Sequence, residues 1–179
     1  MHFAVCDFLL DIAQNSIEAE SSVVTVDLIE RDGIFTVCVG DNGKGMDDAT
    51  MSKVLDPFYT DGTKHEKRKI GLGIPFLQQA SAAAGGEFEI KSEIGLGTSV
   101  FFSFDKNNMD CPPVGDIPGT ILSMMLFDGS YELVVTRSNN KGGYRIVRSE
   151  LTEALGGIHR TDQLKLAKEY ISSQEEDLY

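Results

Sequence analysis

The stretch from Ile34 to Met46 constrains the fold more than any other part of the sequence. A run of residues typical of β-strands ends there in Asp41, and Gly43 and Gly45 follow shortly after it. Glycine permits backbone conformations and close approaches that other residues do not, so the chain is expected to turn sharply after the strand. A carboxylate at the end of a buried strand is costly unless it meets a hydrogen-bond donor. The pattern therefore predicts a site for a donor-bearing ligand at this strand end.

Composition and charge limit the classes of protein to which this chain belongs. Its 179 residues, 41% hydrophobic, suit one domain or one domain with an appendage. A net charge of −12 argues against binding to nucleic acid or to anionic membranes.

No apolar run approaches the roughly 18 residues of a membrane span, and no basic segment precedes the first apolar residues as in a secretory signal. Three widely spaced cysteines fit neither a disulfide framework nor a zinc site, so a cytoplasmic location is expected.

The first part of the sequence mixes helix and strand patterns. Apolar periodicity predicts helices over Phe3–Glu20, Asp47–Leu55 and Ile74–Ala84. Strands are predicted over Ser22–Glu30, Ile34–Gly40, Glu87–Ser92 and Thr98–Phe104, with an Asp-Gly turn between the first two. Residues 56–70 have no periodicity and carry a basic cluster, Lys64, Lys67, Arg68 and Lys69, which is typical of a functional loop or of disorder.

The last part of the sequence is predicted to follow a boundary within residues 105–113. Asp116 is a good cap for a helix that ends at Leu126. Alternation predicts a hairpin of Tyr131–Arg137 and Tyr144–Arg148, followed by helices over Ser149–Leu155 and Thr161–Ser173. The expected fold is α/β, a two-layer α/β sandwich with helices on one face of a mixed sheet. Residues 1–105 would form the main domain, and residues 106–179 a helix–hairpin–helix appendage packed on it.

The first predicted helix is apolar around most of its circumference except for a narrow polar stripe. Asp11, Asn15 and Glu18 are spaced so that they lie on one helical face. Such a stripe either points into a cavity or forms the solvated side of an amphipathic helix. The sequence of this helix alone leaves both interpretations open.

Five short segments occur in a characteristic order. They are Asp11-x-x-x-Asn15, Asp41-Asn-Gly-Lys-Gly-Met46, Asp56-Pro-Phe-Tyr-Thr60, Gly71-Leu-Gly-Ile74 and Gly95-Leu-Gly-Thr-Ser99. Each is common by itself. In this order and at these spacings they resemble the Bergerat-fold ATP-binding domain of sensor histidine kinases, anti-sigma-factor kinases and gyrase. The resemblance covers roughly residues 3–105, and the whole chain is similar to small stand-alone bacterial members of that superfamily.

The resemblance implies an adenine site around Asp41, whose carboxylate would accept from the adenine amino group. Thr98 matches the position beneath the base that shares a bound water with this acid. Gly43 and Gly45 would let the base approach the backbone. Three further residues would lie near the nucleoside, namely Asn42, Met46 and Ile74.

The resemblance also implies a phosphate site that binds Mg²⁺. Asn15 matches the asparagine that coordinates the Mg²⁺ bridging the phosphates, and an amide oxygen suits this hard cation. The segment Gly71-Leu72-Gly73 would open a helix whose amides face phosphate oxygens. Thr60 and Lys64 would belong to a lid over the nucleotide, where the lysine would screen phosphate charge.

Two positions depart from the family pattern. Asp11 occupies the position where hydrolysing members carry a Glu and many histidine kinases an Asn, and it is a candidate for a water-mediated general base. Lys69 stands where the leading glycine of the box after the lid is usual.

These features lead to three functional hypotheses. The first is a Mg²⁺-dependent ATP-binding protein with slow ATPase or protein-kinase activity on a protein partner in trans, because no helical hairpin bearing a phosphoacceptor histidine precedes the domain. The second is a non-catalytic switch in which ATP orders the lid. The third is a scaffold that keeps the fold without the nucleotide.

Overall fold

The computed structural model describes residues 4–57 and 73–179. The helices in these ranges are α1 (Val5–Glu18), α2 (Asp48–Leu55), α3 (Gly73–Ala83), α4 (Ile117–Met125), α5 (Arg148–Ala154) and α6 (Thr161–Glu176). The strands are β1 (Val23–Arg31), β2 (Ile34–Asp41), β3 (Phe88–Glu93), β4 (Gly97–Asp105), β5 (Glu132–Ser138) and β6 (Gly143–Val147). The predicted α/β class and mixed sheet are confirmed.

All six of these strands belong to one sheet, in the order β3-β4-β2-β1-β5-β6. The pairs β1–β2, β2–β4, β3–β4 and β5–β6 are antiparallel. The pair β1–β5 is parallel, with Val24 opposite Leu133. The C-terminal hairpin therefore extends the N-terminal sheet through β1, and the division at residue 105 stays a prediction.

One face of the sheet carries the hydrophobic core. Its buried residues are Val24, Val26 and Leu28 on β1, Phe35, Val37 and Val39 on β2, Val100, Phe102 and Phe104 on β4, and Leu133 and Val135 on β5. Because side chains alternate between the faces of a strand, this spacing places them all on one side. Helices α1, α3 and α4 contact the strands and contribute apolar side chains to the same core.

The segment before α4 also holds the beginning of α1. The Val5 and Cys6 amides donate to the Pro113 and Val114 carbonyls, each over 2.9 Å. These bonds satisfy two of the amides that lack partners at a helix N-terminus. Helix α4 packs between α1 and α6, so the C-terminal elements contact the helix that carries the polar stripe.

The sequence led us to expect no disulfide framework and no membrane-spanning helix. All three cysteines are free thiols, and burial raises the pKa of Cys6 to about 11. Within residues 4–57 and 73–179, no helix is long and apolar enough to cross a membrane.

Candidate functional site

The carboxylate of Asp41 lies at the end of β2 and is held by two backbone amides. Its Oδ1 accepts from the Gly43 amide over 2.9 Å and from the Thr98 amide over 3.2 Å. No described residue donates to Oδ2, and no buried side-chain oxygen of the described residues lacks a partner, so Oδ2 is open to solvent on a residue that lines a cavity. Because both amides fix Oδ1, the second oxygen is oriented to accept from a ligand.

A cavity of about 610 Å³ opens beside this carboxylate, a volume within the range of small-molecule sites. It lies between α1, α2 and α3 and the core face of the sheet. Eight of the residues predicted from the sequence line it: Asp11, Asn15, Asp41, Gly45, Met46, Gly73, Ile74 and Thr98. The structure thus brings together residues that lie far apart in the sequence.

Two predicted residues do not line the cavity. The Asn42 side chain accepts from the Ser22 and Val23 amides over 3.0 and 2.9 Å, so it anchors the start of β1. At Gly43, an added Cβ would lie 2.6 Å from the Ala19 carbonyl, so this glycine lets the loop pack against the end of α1. Four other predicted residues, Thr60, Lys64, Gly71 and Leu72, lie outside the described residues.

Gly45 joins the loop of residues 42–46, which we call the glycine loop, to the β3–β4 turn. Its φ of +64° is a left-handed conformation, and an added Cβ would lie 1.9 Å from the Glu93 carbonyl oxygen. Gly97 makes the reciprocal contact, with a φ of +114° and 1.9 Å to the Asp41 carbonyl oxygen. Gly45, which was expected to let a base approach the backbone, thus also allows two backbone segments to pack directly against each other, and Gly97 does the same from the other segment.

The polar stripe of α1 faces the cavity, because Asp11, Asn15 and Glu18 all line it. Gln14 Nε2 donates to Glu18 Oε1 over 3.0 Å. Asp11 Oδ2 lies 3.3 Å from the point where a Cβ would stand on Gly73, the first residue of α3. The stripe therefore lines the cavity, and Asn15 and Glu18 within it are also exposed to solvent.

The described lining is acidic. Asp11, Glu18 and Asp41 contribute three carboxylates and Lys44 one ammonium group, which gives a formal charge of −2. Such a lining repels a polyanion unless a cation accompanies it. In the described part of the chain, no three metal-ligating His, Cys, Asp or Glu residues cluster.

The walls nearest Asp41 combine apolar side chains with a capped helix. Ile12, Ile90 and Val100 line the cavity, and Ile90 pairs with Val100 across β3 and β4. On the opposite side Thr50 belongs to α2, whose cap is Asp47. Hydrogen bonds from Thr50 hold the pKa of the Asp47 carboxyl below its ordinary value. The cavity therefore combines an apolar slot, lined by Ile12, Ile90 and Val100, with a carboxylate, as a planar base with a polar edge requires.

The sequence reasoning did not assign Ile90, Val100, Gln14 or Lys44 to the site. Ile90 and Val100 have the inward-facing spacing of core residues, which gives no sign that a cavity lies above them. Lys44 lies between Gly43 and Gly45, and this position between two predicted site residues could have indicated that it lies at the site.

The sequence of the N-terminal part of the fold matches that of a known family. Residues 4–108 match the sequence profile of the histidine kinase-, DNA gyrase B- and HSP90-like ATPases. This match spans more than half of the chain, so the chain belongs to that family.

Two relatives are similar in sequence to the matched part of the chain. A sensor protein of Shewanella frigidimarina is 28% identical over 96 residues, which are 54% of this chain and 14% of that protein. Sporulation kinase C of Bacillus subtilis is 34% identical over 94 residues, which are 51% of this chain and 21% of the kinase. The matched region is thus between 14% and 21% of the length of these relatives.

One solved structure resembles the fold over a longer range. The N-terminal domain of a DNA repair protein superimposes on 80% of this chain and 51% of its own, with a TM-score of 0.52 and 13% identity. At this identity the likeness concerns the fold alone.

Proposed function

We propose that this protein binds ATP together with Mg²⁺ in the cavity beside Asp41 and has slow ATPase or protein-kinase activity toward a protein partner. The observation that carries the proposal is the carboxylate of Asp41. Two backbone amides hold its Oδ1 and leave Oδ2 open at the end of an apolar slot. The family supports a nucleotide as the ligand, since it is a family of ATPases.

The adenine amino group is the donor that best fits Asp41. The base would lie between Ile74 from α3 and the Ile90–Val100 pair of the sheet, all of which line the cavity. Burying an aromatic base against these side chains supplies affinity, and the charge-assisted hydrogen bond to Asp41 supplies selectivity for an amino group.

Mg²⁺ would be held by the Asn15 side chain at the other end of the cavity. The donor set fits the ion, because an amide oxygen is a hard ligand and Mg²⁺ usually keeps waters and substrate phosphates as its remaining ligands. The three carboxylates in the described lining also favour a nucleotide whose charge is partly neutralised. When bound, the ion would neutralise charge on the phosphates.

Asp11 is the proposed proton acceptor for water or for the hydroxyl of an acceptor group. It lies on α1 one turn before Asn15 and beside the first residue of α3. This position lies where the phosphates would meet α3, if the base occupies the slot at Asp41. A protein partner in trans is proposed as the phosphoryl acceptor, since relatives such as sporulation kinase C are named as kinases.

The first test is Asp41→Asn, with binding of MgATP measured by calorimetry. The Asn side chain would direct its own NH₂ donor at the adenine amino group, which is also a donor. We therefore expect the affinity for MgATP to fall roughly 10- to 100-fold, the equivalent of about 1.5–3 kcal/mol. Asp27→Asn is the matched control, because it removes the same charge from β1 outside the cavity lining. Equal affinity in wild type and Asp41→Asn would refute the adenine assignment.

Release of phosphate from MgATP by wild type and Asp11→Asn then tests the catalytic part. We expect the variant to bind ATP and to turn over at least roughly 100-fold more slowly, as for loss of a general base. Binding without turnover in wild type, and without transfer to partner proteins, would contradict catalysis and favour a nucleotide-dependent switch.

A further inference from the structure

Ser92 lies beside the cavity wall at the end of β3, on the same face of the sheet as Ile90. It pairs with Thr98 across β3 and β4, and Thr98 lines the cavity while Ser92 does not. The residue is half-buried. Its side chain therefore acts on the cavity only through its neighbours.

The Ser92 hydroxyl makes three contacts. Its Oγ accepts from the Met46 amide over 2.8 Å, and it lies 3.0 Å from the Gly97 carbonyl and 2.8 Å from Thr98 Oγ1. A hydroxyl has one proton to donate and two lone pairs to accept with. All three contacts are satisfied when Ser92 donates to Gly97 and accepts from Met46 and Thr98.

In this fully satisfied arrangement, the Thr98 hydroxyl donates its proton to Ser92. Because its proton is directed to Ser92, Thr98 presents lone pairs alone to the cavity. Asp41 is the register partner of Thr98 on the neighbouring strand, and its Oδ2 is also an acceptor. Two acceptors side by side favour a ligand that carries an amino group over one that carries a carbonyl oxygen at the same place.

We propose that Ser92 is a positioning residue that sets the selectivity of the cavity for a 6-amino purine nucleotide. It does so by holding Met46 of the glycine loop and by keeping Thr98 in its acceptor orientation. This inference rests on the proposed function, because it concerns how the same cavity recognises its base.

The fold does not depend on this hydroxyl alone. The Gly95 amide donates to the Lys44 carbonyl over 2.8 Å, and the Thr98 amide donates to Asp41 over 3.2 Å. These bonds join the same two segments and remain when the Ser92 hydroxyl is removed. Loss of selectivity is therefore separable from loss of structure.

The experiment compares wild type, Ser92→Ala and the matched control Ser99→Ala, which removes a hydroxyl from an exposed position on the same hairpin. Dissociation constants are measured for MgATP and for Mg-inosine triphosphate, whose base carries an oxygen in place of the amino group. Without Ser92 the Thr98 hydroxyl is free to donate to that oxygen. We expect the preference for ATP to fall about 10-fold in Ser92→Ala and to stay unchanged in Ser99→Ala.

A second readout, independent of ligand, is amide hydrogen exchange in the free protein. Loss of its acceptor should speed exchange of the Met46 amide about 10-fold or more in Ser92→Ala alone. Ser92→Thr retains a hydroxyl and should restore both the exchange rate and the preference for ATP. These results, with an unchanged melting temperature, would support the assignment.

The outcomes separate this inference from the function on which it rests. If wild type prefers ATP and Ser92→Ala keeps the same preference, the positioning role is wrong and the ATP site stands. If Ser92→Ala weakens both nucleotides equally and lowers the melting temperature, Ser92 is structural and the inference is overturned. If wild type and Ser99→Ala bind neither nucleotide, the proposed function fails and the selectivity role fails with it.

Discussion

A charged side chain lies at each end of the central strands. Protein groups satisfy the hydrogen bonds of one of them completely and those of the other only in part. At one end Arg137 is fully buried and surrounded by partners. Its Nε donates to Glu175 over 3.2 Å, its Nη1 to the Ser138 carbonyl over 2.9 Å, and its Nη2 to Glu30 and Tyr179 over 3.0 and 2.8 Å. At the other end Asp41 has one carboxylate oxygen held by amides and the other open to a cavity.

The difference separates a structural charge from a binding charge. A buried charge is tolerated when protein groups satisfy it, and removing one partner leaves the others uncompensated. Arg137 and its partners, which we call the Arg137 cluster (Glu30, Arg137, Tyr144, Glu175 and Tyr179), satisfy each other. Asp41 is satisfied on one side, so the remaining oxygen is available to a ligand.

The largest effect is expected for Arg137→Ala. It leaves Glu30 and Glu175 without their shared cation and opens a cavity under α6, so the free energy of unfolding should fall by about 3–5 kcal/mol. Arg145→Ala removes the same side chain from an exposed position on β6 and should change stability by less than about 0.5 kcal/mol. Denaturant unfolding measures both. Equal losses of stability in the two variants would contradict the structural role of Arg137. A larger change in ATP affinity than in stability for Arg137→Ala would contradict it as well.

An intermediate effect is expected for Gly97→Ala at the cavity end. The substitution forces a φ of +114° on a residue with a Cβ and places that atom 1.9 Å from the Asp41 carbonyl. Gly95→Ala is the matched control, since its φ is +77° but nothing lies within 4 Å of the added atom. Both should lose about 1–2 kcal/mol of stability from the backbone conformation, and Gly97→Ala should lose more because its Cβ meets the Asp41 carbonyl. Only Gly97→Ala should also weaken ATP binding, which calorimetry can show.

The smallest effect concerns acid pH and the Arg137 cluster. Burial raises the pKa of Glu30, but hydrogen bonds from Lys106, Arg137 and Tyr179 outweigh it and bring the pKa below the ordinary 4.5. The folded state therefore binds fewer protons than the unfolded state, so the stabilisation is present above about pH 4.5 and is lost as the pH falls through the folded pKa.

Unfolding of Glu30→Gln between about pH 3 and pH 5 measures this contribution. The variant should lose less stability than wild type as the pH falls. Glu89→Gln, whose carboxylate pairs with Lys91 on the exposed side of β3, should follow the wild-type curve. A Glu30→Gln curve parallel to wild type would show that the cluster does not carry this acid sensitivity.

Local features of the sequence predicted most of the elements. Turn and cap residues such as the Asp32-Gly33 pair and Asp116 act within a few positions, and the elements begin and end close to them. Pairing across the sheet was not predictable in the same way. Nothing near Val24 indicates that its parallel neighbour is Leu133, because this contact depends on chain closure over a long separation.

Side-chain direction limited the prediction of the site. Asn42 follows Asp41 directly, yet its side-chain oxygen accepts from two amides at the start of β1 and does not face the cavity. Ser92 and Arg137 were missed, although each interrupts an alternating set of inward apolar residues. A polar side chain at an inward strand position has to find partners inside the protein, and this was the available signal.

The parallel pairing of β1 with β5 also governs the order in which the protein can assemble. During synthesis β1 leaves the ribosome long before β5, so one edge of a central strand stays unpaired while the intervening chain is made. An exposed edge flanked by Val24, Val26 and Leu28 is a template for intermolecular pairing. A fragment that ends at residue 108, where the family match ends, would lack β5 and β6, so the β1 edge would stay unpaired. Pairing with β5 therefore protects the protein against aggregation through this edge.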